Sequence, residues 1–270
     1  MLLCVRRTAA SLLNPENKLN NRLKTAVAAA IACTCLAPQA WADLVKLHGA
    51  TTVQNVVINP HREAVQKATG HTLEIVGNAT GKGLVDLSDG KADAAMVSEP
   101  LDIAVAAAAV AGKVIDPKSL QMHEIRKDEV VFVVHPSNTV SALTWEQLAD
   151  IHTGKVTNWK QVGGKDAPIV VYSDAITGGT RALVKKVVMN GAEYGSNVKS
   201  LTNVARVAEL VANDPNGVGG VGRGFLDPNK AKALQSKKVE RPLGLVTIGA
   251  PSAKVKQVVE SLRAEVSRTK

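Results

Sequence analysis

One stretch constrains this chain more than any other. Residues 169–172 (Ile-Val-Val-Tyr) form an apolar run with the length and β-branched content of a buried strand. The run passes through Ser173, Asp174, Ala175, Ile176, Thr177, Gly178, Gly179 and Thr180 into residues 181–189, where Leu183, Val184, Val187 and Val188 recur at helical spacing. A strand that turns tightly into a helix leaves backbone N–H groups unsatisfied at the helix N-terminus, and these suit an anionic or strongly polar ligand. The hydroxyls of Thr177 and Thr180 lie in the same turn. A second stretch of this type occurs early, at residues 47–53 (Leu-His-Gly-Ala-Thr-Thr-Val). Two such turns, far apart in sequence, point to two halves closing on one ligand.

The rest of the chain alternates between the two periods. Strands are expected at 45–48, 72–76, 93–97, 130–134, 169–172, 218–221 and 243–248, the sixth broken by Gly219 and Gly220. A helical face begins at Val53, Val56 and Val57. Pro60 interrupts it, which predicts a kink or a second helix over 60–69 ended by Gly70. Further helices are expected at 84–88, 103–111, 203–212 and 251–268. Another starts at a capping box, Thr144 with Gln147, and ends before Gly154. Strands alternating with helices at this spacing favour a mainly parallel sheet in an α/β fold. A change of unit is expected near Lys127.

The first 42 residues read as a cleaved export signal. Arg22 and Lys24 precede an apolar run at 26–37, and Ala40-Trp41-Ala42 supplies a small-x-small cleavage site before Asp43. That run is shorter than the roughly 20 residues a spanning helix needs. The long stretch before it fits a start placed too far upstream, with translation beginning near Leu19 or Leu23. Cys33 loosely fits a lipid-attachment signal, but Ala30 is a poor residue there and the Ala-x-Ala site is the better match. Cys4, Cys33 and Cys35 all lie in this leader, so the mature chain carries no disulfide framework, thiol nucleophile or cysteine-based zinc site. The formal charge of +9 falls to +5 once the leader's five Lys/Arg and one Glu are removed. The remaining basic residues are scattered, and only 3% of residues are aromatic. Both features argue against nucleic-acid binding, and the second also against sugar-stacking sites. The six histidines are dispersed without an HxH or HxxxH pair, and no GxSxG elbow occurs, so neither a metal site nor a serine-hydrolase site is expected. No cofactor is expected either.

Residues 142–169, Ala-Leu-Thr-Trp-Glu-Gln-Leu-Ala-Asp-Ile-His-Thr-Gly-Lys-Val-Thr-Asn-Trp-Lys-Gln-Val-Gly-Gly-Lys-Asp-Ala-Pro-Ile, resemble without gaps the LTxxQLxxIFxGxxxNWxxVGGxxxPI segment of the periplasmic phosphate-binding-protein family, the receptors of phosphate ABC importers. Residues 49–53 resemble that family's GSTTV turn, 77–84 its GSGSGxGL, 93–101 its strand ending in S[DR]xPL, 178–181 its SGTR and 216–224 its GxIGYVG loop. The resemblance covers nearly all of 44–270. It implies a type II periplasmic-binding-protein fold: two α/β domains, a hinge of two crossing strands, and a ligand cleft between them. The first domain is expected at 43–127 plus 226–270 and the second at 128–225. The resemblance further implies a monomeric, non-enzymatic periplasmic receptor that delivers phosphate or a phosphate-like oxyanion to an ABC permease.

Carried over residue by residue, the ligand set is Ala50, Thr51, Thr52, Thr80, Ser98 and Glu99 from the first domain, and Thr177, Gly178, Gly179 and Thr180 from the second. Asp174 completes the candidate set and is also its main departure, since many family members place an arginine there. Gly178 replaces a serine, with Thr177 beside it as a substitute, and Glu99 stands where the family has Asp or Arg. One acid is compatible with a phosphate that still carries a proton. Two acids without a replacement arginine would repel a dianion, which leaves open a binding or sensory protein for another solute, or a phosphatase on the same fold. The exported chain is expected to begin at Asp43. N-terminal mass spectrometry checks this, and an intact Ala42–Asp43 bond in the exported protein contradicts it.

Overall fold

The computed structural model describes residues 43–269. The export signal expected over 1–42 lies outside these residues. The chain order is β1 (Leu44–Gly49), a composite helix α1 over 51–69, β2 (Thr72–Gly77), α2 (Thr80–Ser88), β3 (Ala94–Val97), α3 (Leu101–Val110) and β4 (Leu120–Val134). It continues with α4 (Trp145–Thr153), β5 (Val170–Ser173), α5 (Gly179–Val187), β6 (Val198–Ser200), α6 (Val204–Asn213), β7 (Gly217–Gly222), β8 (Lys232–Ala233), β9 (Val239–Ile248) and α7 (Ala253–Arg268). The strands run in the order β2-β1-β3-β9-β4-β7-β5-β6, with β8 paired to β4. The type II α/β architecture expected from the sequence is the one observed.

Two long strands connect the halves of this sheet. β4 and β9 pair antiparallel from Leu120↔Ile248 to Val130↔Val239, with an irregularity between Glu124 and Arg126. At one end β9 pairs with β3, which joins the parallel ladder of β1 and β2. At the other end β4 pairs with β7, which joins β5 and β6 in parallel. The core follows the same division. Leu47, Val57, Leu73, Leu245 and the inner face of α7 (Val255, Val258, Val259, Leu262) pack around β1. Phe132, Leu148, Ile151, Trp159, Leu183 and Val218 pack on the far side of the crossing. The segment expected to close the first domain divides between these two sides. β8 pairs with β4 at Val133 and Val134, and Leu234 and Val239 join the Trp159 cluster, so this part of 226–270 packs with the second half.

Several elements depart from the periodicity. β4 begins ten residues earlier than expected, because the polar positions Glu124, Arg126 and Lys127 mask the strand while pairing continues through them. α2 begins at Thr80, four residues before the first apolar residue of its pattern. β7 runs without a break through Gly219 and Gly220. Pro60 sits in a 3₁₀ turn between a π segment (Gln54–Ile58) and the helix Arg62–Thr69. The capping box forms as expected: Thr144 Oγ1 accepts from the Gln147 N–H at 3.1 Å, and Gln147 Oε1 accepts from the Thr144 N–H at 2.9 Å.

The position of α2 depends on backbone touching backbone. Gly49 has φ +134° and a side chain there would strike the Met96 carbonyl, while a Cβ on Gly83 would lie 2.4 Å from the Gly49 Cα. Alanine at 83 would gain about 1 kcal/mol of helix propensity. The overlap with rigid backbone costs about 1–3 kcal/mol, and at this distance the cost falls at the upper end. Gly83→Ala is therefore expected to lower the urea midpoint by a net loss of about 2 kcal/mol. An unchanged midpoint contradicts the packing described.

Candidate functional site

Three helix N-termini meet where β4 and β9 cross. α1 contributes Thr52, 2% exposed; α2 contributes Thr80, fully buried; and α5 contributes Gly179 and Thr180. Each N-terminus leaves unpaired N–H groups and a partial positive charge. The local sequence explains each turn. Ala79 takes φ +78°, a costly conformation for a residue with a Cβ, and this turns the chain so that Thr80 starts α2. Gly178 and Gly179 start α5 without side chains, and the space above them is already occupied. A methyl group at 179 would overlap the Glu99 carboxylate, and one at 178 would overlap that of Asp174.

Glu99 lies at the centre of this arrangement and is fully buried. Its Oε2 accepts from the Ser98 N–H at 3.1 Å and from Ser98 Oγ at 2.8 Å. Among the described residues, neither its Oε1 nor the Thr80 hydroxyl makes a hydrogen bond of normal geometry. Burial raises the Glu99 pKa above the usual carboxylate range, opposed by Ser98, the nearby Thr80 hydroxyl and the positive charge of Arg241. Asp174 is 7% exposed, and its Oδ1 accepts from the Ala175 N–H at 2.8 Å. Burial pushes its pKa up to about 6 despite the Ala175 bond, Arg241, the Thr180 amide and Arg181.

Arg241 is the residue that the sequence reading missed. Its side chain is fully buried. Nε and Nη2 donate to Asp128 Oδ2 at 3.0 and 2.9 Å, and Nη1 donates to Thr180 Oγ1 at 2.8 Å. Asp128 on β4 and Arg241 on β9 are direct cross-strand partners. They are 113 residues apart, and each stands in a polar stretch that reads as surface. Nothing in the neighbouring sequence of either residue signals the pair, which arises from the register of β4 and β9.

The structure brings Thr52, Thr80, Ser98, Glu99, Asp174, Gly178, Gly179 and Thr180 together. The other expected residues, and the Gly178 amide, have local partners of their own. The Ala50 N–H is donated to Met96 O at 2.8 Å, so that amide belongs to the sheet connection. The Gly178 N–H closes its own turn on Ala175 O at 2.7 Å. Thr177 is half-buried and lines an outer groove with Lys82, Ser200 and Arg206, while its carbonyl accepts the Gly81 N–H at 3.0 Å and ties α2 to the turn before α5. Thr51, also half-buried, contacts the end of β2 at Gly77. Arg181 points away from the crossing: it donates to Ser200 Oγ at 3.0 Å and stacks 3.9 Å over the Tyr194 ring.

A family profile described as "PBP superfamily domain" matches residues 36–264. The chain is 26% identical over 188 residues to the phosphate-binding protein PstS of Bacillus subtilis, covering 70% of this chain and 60% of that one. It is 28% identical over 208 residues to PstS of Staphylococcus saprophyticus, covering 75% and 62%. It thus spans about three fifths of the length of these curated relatives. Among solved structures it superposes with TM-score 0.71 and 25% identity on one from Clostridium perfringens, described as a phosphate ABC transporter substrate-binding protein with bound phosphate, covering 82% of this chain and 93% of that one. The effector-binding domain of QuiR in complex with shikimate shares the fold, with TM-score 0.59 and 15% identity.

Asp174 gives the site a measurable signature. The folded chain holds its proton more tightly than the unfolded chain, whose value is near 3.8. Its contribution to stability is therefore fully present below that value and is lost as pH rises through about 6. The loss is on the order of 2–3 kcal/mol. Asp174→Asn is expected to flatten this part of the profile and to be more stable than the native chain at pH 7 than at pH 4. Parallel urea melts at the two pH values check this, and parallel profiles contradict it.

Proposed function

The chain belongs to the PBP superfamily, and on that footing we propose that it captures phosphate or a phosphate-like oxyanion between two closing lobes and delivers it to an ABC permease. It acts as a monomeric binding protein in the periplasm, exported by the leader. The observation that carries this reading is the convergence of three helix N-termini with a buried guanidinium, a setting that stabilises an oxyanion through fixed donors. The relatives named for phosphate binding support the same ligand. No helix among the described residues is long and apolar enough to cross a membrane.

The lobes are read as the two sides of the β4/β9 crossing, and closure as a hinge motion about those strands. The Gly81–Thr177 bond and the approach of Glu99 to Gly179 would form only when the lobes meet. Thr52, Thr80, Thr180 and the Gly179 amide supply the ligand's donors. A phosphate that retains a proton donates it to Glu99 or Asp174, whose carboxylates can only accept when ionised. These two acids also favour a second reading, in which the solute is less negative than phosphate.

Isothermal titration of the mature protein distinguishes these readings. Inorganic phosphate is expected to bind one to one, and a hundredfold excess over Kd is expected to stabilise the fold by about 2.7 kcal/mol. No heat and no thermal shift with phosphate would transfer the site to the second reading.

A further inference from the structure

We infer that Arg241 is the ligand-binding cation of this site, supplying from the hinge strand β9 the positive charge that position 174 lacks. The inference rests on the oxyanion reading above and names the residue that makes it workable. Arg241 has no exposed side-chain surface, so its charge acts where water screens little. Among the described residues, its three hydrogen bonds use three of the five N–H groups of a guanidinium. The two that remain lie on Nη1 and Nη2.

The group is fixed beside two of the threonines that start helices. One Asp128 oxygen takes Nε and Nη2, which fixes the plane, while Nη1 reaches Thr180 Oγ1 in the first turn of α5. A Cβ on Gly222 would lie 2.5 Å from Nη2 and 3.5 Å from the Thr52 methyl. The guanidinium is therefore seated against bare β7 backbone, close to the threonines that start α1 and α5. Its charge also reaches the carboxylates of Glu99 and Asp174, lowering the pKa of each against the effect of burial. An oxyanion placed over Gly179, where the Glu99 carboxylate now lies, would adjoin Thr180, whose hydroxyl Arg241 Nη1 already holds. Arginine suits this role because its planar fork matches an oxyanion's paired oxygens.

The fold could suffer if Arg241 alone were removed, because Asp128 would be left as a buried unpaired charge. The test therefore uses the neutral pair Arg241→Gln/Asp128→Asn, with thermal melts to confirm folding and titration with inorganic phosphate. The pair is expected to bind phosphate about thirtyfold more weakly or worse. Adding Asp174→Arg to that background is expected to restore at least part of the affinity, which a purely structural role for Arg241 would not produce. Arg241→Lys, a second variant that keeps the charge, is expected to fall between native and pair. Native affinity in the neutral pair, or in Arg241→Lys if the pair does not fold, overturns the role of Arg241 and leaves the phosphate reading standing. Absence of phosphate binding by the native protein overturns both.

Discussion

The Asp128–Arg241 ion pair is the constraint on which the site depends. It joins β4 to β9 where the two halves of the sheet meet, and it lies directly in register across those strands. A buried ion pair is not by itself a source of stability, since desolvation can cancel the attraction. What this pair does is fix geometry. Asp128 orients the guanidinium, the guanidinium holds the Thr180 hydroxyl, and Thr180 belongs to the first turn of α5. The helix that presents its N-terminus to the cleft is thereby tied to the strands about which the lobes would move.

The same crossing accounts for the unusual placement of Glu99. Three helix N-termini concentrate partial positive charge at one point, and the Glu99 carboxylate lies over Gly179. Burial raises its pKa even with Ser98 bonded to it. Burial opposes the ionised forms of Glu99 and Asp174, and the Arg241 charge favours them. The permanent cation offsets the negative charge that the two acids would present to an anion. The departures from the family pattern at positions 99 and 174 are then compensated from a strand that the motif comparison did not include.

Much of this was legible in the sequence, for identifiable reasons. The strand–turn–helix units around Thr52 and Thr180, and the Thr144 capping box, are local signals read from neighbouring residues, and the structure reproduces them. The α/β class follows from the alternation of periods. Arg241 was not legible, because its role comes from cross-strand register and not from its neighbours in sequence. β4 was read too short because its middle carries charge yet remains paired. The resemblance implies ligand amides at Ala50 and Gly178, whereas both N–H groups are donated within the fold, to Met96 and Ala175. The resemblance implies 226–270 in the first domain, and within that segment Leu234 and Val239 pack in the cluster of Phe132, Leu148 and Trp159.

A crystal structure of the mature protein grown with inorganic phosphate tests the role of the crossing most directly. Phosphate density is expected between Thr52 and Thr180, with Arg241 at hydrogen-bond distance and the Glu99 carboxylate moved off Gly179. Phosphate bound elsewhere, or Glu99 unmoved above Gly179 with Arg241 contacting only Asp128 and Thr180, would contradict it.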